Sequence, residues 1–102
     1  MPMISRQWRG LARAERAADY EAHLRAETFP ALRGMDGFVD AAILRRDLPR
    51  GVEFLVVTRW RSLDAIAQFE GRDLDAAVVP EPVRAMMLEV DERVRHYEVV
   101  KP

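Results

Sequence analysis

The chain has 102 residues, enough for one domain with a modest core. Sixteen basic against 17 acidic residues leave a net charge of −1, so no global field draws in a polyanion and nucleic acid is excluded as the main partner. Cysteine is absent, which removes disulfides, thiolate nucleophiles, zinc–thiolate sites and iron–sulfur clusters, and asparagine is absent too.

Met3 to Trp8 reads as a first strand, with Arg6 on the same face as Ile4 and Trp8. The opening MPMISRQW has no apolar run of secretory type and no window is long enough to span a bilayer. A cytoplasmic protein without a membrane partner is the expectation. Leu11 to Arg33 reads as a helix on its Ala, Leu, Glu and Arg content, with Pro30 as the point of kinking or ending. Ala17, Tyr20, Leu24, Thr28 and Ala31 recur at three- and four-residue steps and form its apolar stripe. Gly34 and Gly37 supply the stop and turn.

Phe38 to Asp47 reads as a second strand, and Leu48 to Gly51 as a hairpin connection. Val52 to Arg61 is the third strand. Phe54, Val56, Thr58 and Trp60 point one way, Leu55 and Val57 the other, so both faces call for cover. Ser62 is placed to cap the next helix, with Asp64 at its positive end and Gly71 as its stop. Asp73 to Val79 carries no clear period. Pro80 and Pro82 start a further helix with Val83, Met86, Met87 and Val90 on its apolar side, and Arg93 to Val100 closes the chain as a strand.

The order strand, helix, strand, strand, helix, strand predicts an α+β fold, the ferredoxin-like βαββαβ antiparallel sheet with helices on one face, as one domain over residues 1–102. The uncovered face would then expose Leu55 and Val57, and a second copy packed sheet to sheet would bury them.

Three segments carry a resemblance. They are the strand end Trp60-Arg61-Ser62-Leu63-Asp64-Ala65, the Phe69 into which it runs, and the closing Val94-Arg95-His96-Tyr97-Glu98-Val99. Together with the element order they resemble the antibiotic biosynthesis monooxygenase family of the dimeric α+β barrel superfamily, over nearly the whole chain. The resemblance implies a homodimer with a pocket between helices and sheet in each subunit. In members that oxidise polycyclic phenols to quinones without metal or flavin, it implies a strand-end Trp and an Asn lining that pocket. In the haem-degrading branch it implies an Asn, a Trp and a helix His. Trp60 matches the shared Trp. The chain has no Asn, and no His lies between Trp60 and His96, so haem degradation is not expected.

Two residues are candidates for chemistry: His23 as a general base and Trp60 as a pocket wall, with Tyr20, Phe54, Phe69 and Arg6 as substrate contacts. His23 lies beside Tyr20 at the margin of the stripe, with Glu27 one turn later to orient it. Imidazole titrates close to neutral pH, which suits proton abstraction from a phenol or an activated carbon. The competing account makes His23 a solvated helix residue and Trp60 a core plug. Arg6 requires a partner on an apolar face, with Glu53 and Glu98 as candidates, or else an anionic ligand. On the last strand, parity leaves open whether His96 and Glu98 or Tyr97 and Val99 meet the pocket.

No metal is expected, because His23 and His96 are the only histidines and sit on distant elements. Nor is there a Gly-rich phosphate loop or a Ser-centred nucleophile elbow. The expectation is a small cofactor-independent monooxygenase-like enzyme whose partners are a second copy and a small apolar or aromatic, polyketide-like molecule. A non-catalytic dimeric ligand-binding protein and an isomerase-like proton-transfer enzyme stay open on the same scaffold.

Overall fold

β1 (Ile4–Ala12) runs through the middle of the sheet. In the computed structural model, which describes residues 2–70 and 73–102 without the side chains of Phe69 and Glu70, this strand is longer than the sequence suggests. Gly10, Leu11 and Ala12 do not open a helix. They pair with Phe54, Glu53 and Val52, because ladder bonds on both edges of a central strand outweigh the helix propensity of Leu and Ala. A short 3₁₀ turn at Ala14–Arg16 leads into α1 (Ala17–His23), then a π turn at Leu24–Thr28 and α2 (Phe29–Arg33).

The π turn changes which residues are buried. Ala17, Tyr20 and Leu24 face the core as the stripe requires, but Phe29 and Leu32 follow them, and Thr28 and Ala31 do not. Pro30 has no N–H to donate to the carbonyl four residues back, and its ring crowds that carbonyl. The wider turn accommodates both, with the Phe29 N–H donating to the Leu24 carbonyl, and the stripe slips by one residue.

β2 (Phe38–Leu48) and β3 (Gly51–Trp60) form a long hairpin, and β3 pairs along all of β1, from Ile4 opposite Trp60 to Ala12 opposite Val52. Ser62 caps α3 (Leu63–Glu70): its Oγ accepts from the Ala65 N–H at 3.2 Å. The expected stop at Gly71 lies outside the described residues. α4 (Glu81–Met86) is short. Met87 and Val90 do not extend it; they belong to β4 (Met87–Val90), which pairs with Gly10–Ala12, while β5 (Arg95–Glu98) pairs with Ile4–Gln7. β4 and β5 thus form one broken edge strand beside β1. The break at residues 91–94 lets Arg93 bridge back to Ala76.

The sheet order β2-β3-β1-β4, with β5 on the β4 edge, is the ferredoxin-like arrangement expected. Ile4, Tyr20, Phe29, Phe54, Trp60 and Ile66 are among the buried residues that fill the layer between helices and sheet. Opposite them, the open face carries Arg9, Arg46 and Glu53 as a linked ion network, Arg59 paired with Asp40, and the apolar Leu44, Leu55 and Val57. Leu44 is 51% exposed and Tyr97 49%. No described helix is long and apolar enough to cross a membrane.

Candidate active site

The site grows from two neighbouring positions on β1. Trp8 points toward the helices, and Gly10 is the next residue on that face. A Cβ built on Gly10 would stand 2.4 Å from Trp8 Cη2, so the indole lies flat in the space that glycine leaves. The break after β4 presents the Asp91 carbonyl, which accepts from Trp8 Nε1 at 2.8 Å. Both constraints fix the ring as the floor of a cavity.

Helix residues supply one wall: Tyr20 and His23 from α1, Leu24 and Thr28 from the π turn. The connector after α3 closes the other side with Val78, Val79 and Pro80, joined by Val83 of α4. The cavity volume is about 50 Å³. His23, Thr28, Val78 and Pro80 also line an adjoining apolar groove of about 250 Å³, bordered by Glu27, Ala31 and Leu32.

Tyr20 is 3% exposed. Its ring meets Phe54 edge-on at 5.0 Å and tilts toward Trp8 at 6.1 Å. Burial raises the pKa of its phenol, so the hydroxyl stays protonated across the working pH range. That hydroxyl makes no hydrogen bond with any described residue, an uncommon state for a buried polar group. His23 is half-buried and lines both cavity and groove. Glu27, its expected orienting partner, does not bond it. A π turn brings the fifth residue into line in place of the fourth, so Thr28 joins His23 in the cavity and Glu27 swings to the exposed rim.

Three other expected site residues, Trp60, Phe54 and Arg6, are placed elsewhere. Trp60 does not line the cavity. It is fully buried at the β3 end, with Nε1 donating to Thr58 Oγ1 at 2.9 Å and Phe38 against it edge-on at 5.4 Å. It sits on the neighbouring strand opposite Ile4, four residues along β1 from Trp8, and the position expected for Trp60 is held by Trp8. Phe54 is also fully buried and supports Tyr20 from below. The Phe69 side chain lies outside the described residues. Arg6 shares the face of Trp8 but ties down the connector, with Nη1 donating to the Leu74 carbonyl at 2.7 Å and Nη2 to the Ala76 carbonyl at 3.1 Å. Neither Glu53 nor Glu98 is the partner seen for it; Glu53 is on the opposite face with Arg9 and Arg46.

His96 completes this anchor, which settles the parity of β5: His96 and Glu98 face the helices and Tyr97 faces away. Arg6 Nη1 lies 2.8 Å from His96 Nε2, and His96 Nδ1 lies 3.1 Å from Asp75 Oδ1. A guanidinium only donates, so Nε2 accepts and the ring proton belongs on Nδ1, toward Asp75. Burial and the Arg6 charge lower the imidazole pKa, and Asp75 opposes them. The signal for Trp8 was present in the sequence as a glycine two residues on, on the same strand face. Without the helix above it, that spacing had no meaning.

The fold and its one-sided cavity define a class: a small α+β protein with a cavity between its sheet and its helices. The sequence model of the antibiotic biosynthesis monooxygenase family matches residues 3–79, and the chain belongs to that family. Among solved structures, a Bacillus cereus protein described as a candidate antibiotic biosynthesis monooxygenase is 20% identical, with 100% of this chain and 95% of that one covered and a TM-score of 0.71. A candidate of the same description from Bordetella bronchiseptica is 21% identical, covered over 99% and 100%, with a TM-score of 0.66. SnoaB of Streptomyces nogalater, a cofactor-independent oxygenase, is 17% identical, covered over 100% and 95%, with a TM-score of 0.63. No curated protein matches the sequence. At these identities the structural likeness establishes the fold.

Proposed function

We propose that this protein is a cofactor-independent monooxygenase-like enzyme acting on an aromatic substrate, with His23 as its general base. The observation that carries this reading is that His23, with no hydrogen-bond partner among the described residues, lines a cavity that Tyr20 also lines and borders an adjoining apolar groove. In that arrangement His23 takes the proton of a phenol, and the phenolate supplies electrons to dioxygen. One oxygen atom enters the ring to give a quinone and the other leaves as water, so no external reductant is required. Membership of the monooxygenase family and the fold shared with a cofactor-independent oxygenase support the reading. It includes a homodimer that covers Leu44, Leu55 and Val57.

Oxygen uptake with a panel of phenols tests it. One dioxygen consumed per phenol, lost in His23→Ala with the fold intact, is the expected result. A specific observation favours a second reading: the chain has no Asn, and Trp60 is packed away from the cavity. If phenols bind and no oxygen is consumed, the protein is a ligand-binding member of the family.

A further inference from the structure

We propose that the ligand of this pocket is a neutral, single-ring phenol, lodged with its oxygen in the inner cavity against the Tyr20 hydroxyl and its ring in the outer groove. The inference rests on the reading of this pocket as the substrate site and does not depend on turnover.

Size comes first. A closed apolar cavity of about 150 Å³ holds one benzene ring. The inner cavity, at about 50 Å³, is too small for a ring and large enough for a ring-bound oxygen. The groove, at about 250 Å³, offers more room than one ring needs and less than twice that, which favours a single ring over three fused ones. Trp8 cannot retreat to enlarge the floor, because its indole already fills the space over Gly10 and its N–H is held by Asp91.

Polarity comes next. The Trp8 N–H is taken, which leaves Tyr20, His23 and Thr28 as the polar side chains on the inner cavity among the described residues. Tyr20 is the buried one, and its hydroxyl has no described partner. A ligand oxygen that accepts from it removes an unsatisfied donor, which a hydrocarbon would leave in place. The charge balance then selects between oxygen ligands. Among the described residues no arginine or lysine lines either space, and the one carboxylate at the groove is Glu27. A carboxylate or phosphate ligand would be desolvated with no counter-charge and a like charge nearby.

Calorimetric titration of the full chain in anaerobic buffer tests this with p-cresol, p-methylanisole, toluene, p-toluate and anthrone. The expected order places p-cresol about tenfold tighter than toluene, with p-toluate, anthrone and p-methylanisole at or below toluene. The anisole ranks low because its extra methyl does not enter the inner cavity. Tyr20→Phe should bring p-cresol down to the level of toluene while leaving toluene unchanged, with thermal unfolding confirming the fold. Should that variant fail to fold, the ranking on the unaltered protein still decides. Tighter binding of p-toluate or anthrone than p-cresol, equal p-cresol affinity in Tyr20→Phe, or no p-cresol binding at millimolar concentration overturns the proposal. Tyr20-dependent p-cresol binding without aerobic oxygen uptake would sink the oxygenase reading alone. Oxygen uptake with p-cresol bound independently of Tyr20 would sink this proposal alone.

Discussion

Gly10 and Trp8 show how one missing methyl shapes a site. Only glycine leaves room for an indole laid across the next position of its own strand face. Gly10→Ala should therefore displace the Trp8 ring toward Tyr20, costing about 1–3 kcal/mol as an overpacked core position. Urea unfolding monitored by far-ultraviolet dichroism reads that loss, and an unchanged midpoint would mean that the ring moves freely. Trp60 makes the contrasting case. Its indole is fully buried, paired with Thr58 and packed by Phe38, so Trp60→Ala should cost about 3–5 kcal/mol through a core cavity. A variant that kept its full stability would remove Trp60 from the core.

At the scale of elements, two devices set the walls of the pocket. The π turn before Pro30 slips the helix stripe by one residue and places Thr28 beside His23. The connector from Asp73 to Pro80 is held by Arg6 through two carbonyls and by His96 through Asp75. This second device predicts a pH dependence. The folded-state pKa of His96 is lowered from the ordinary 6.5, so the unfolded chain binds its proton more readily. The contribution of His96 is complete above that ordinary value and is lost as pH falls below it toward the folded-state pKa. Melting temperature followed from pH about 7.5 to about 5 should fall more in the unaltered protein than in His96→Gln, which can still accept from Arg6 and donate to Asp75 without titrating in that range. Equal losses would uncouple the anchor from protonation. At the other end of the fold, the Ser62 cap should contribute about 1 kcal/mol, read as a lowered unfolding midpoint in Ser62→Ala.

For the whole molecule, the open face of the sheet is the unfinished surface. Leu44 is exposed, Leu55 and Val57 are half-buried beside it, and the ion network of Arg9, Arg46 and Glu53 borders them. A second copy packed on this face would need to bury more than about 1,200 Å² in total. Sedimentation at micromolar concentration should give a dimer, and Leu55→Asp should dissociate it by placing a charge in an apolar contact. A monomeric protein with a normal melting curve would leave this face to another role.

The alternation of Val52 to Trp60, the Ser62 cap and the strand–helix order were enough to determine the ferredoxin-like class, because period and capping are local properties of the chain. Tyr20 and His23 were also legible, as neighbours on one helix face. What the sequence could not decide was which tryptophan meets them. Trp8 and Trp60 both point to the helix side of the sheet, and parity treats them alike. The choice came from where α1 crosses the strands, and from a π turn whose one-residue slip becomes visible only when the helix is packed. In the same way Met87 to Val90 carries an apolar side that suits a helix, yet the free edge of β1 takes it as a strand, because paired backbone groups outweigh local propensity.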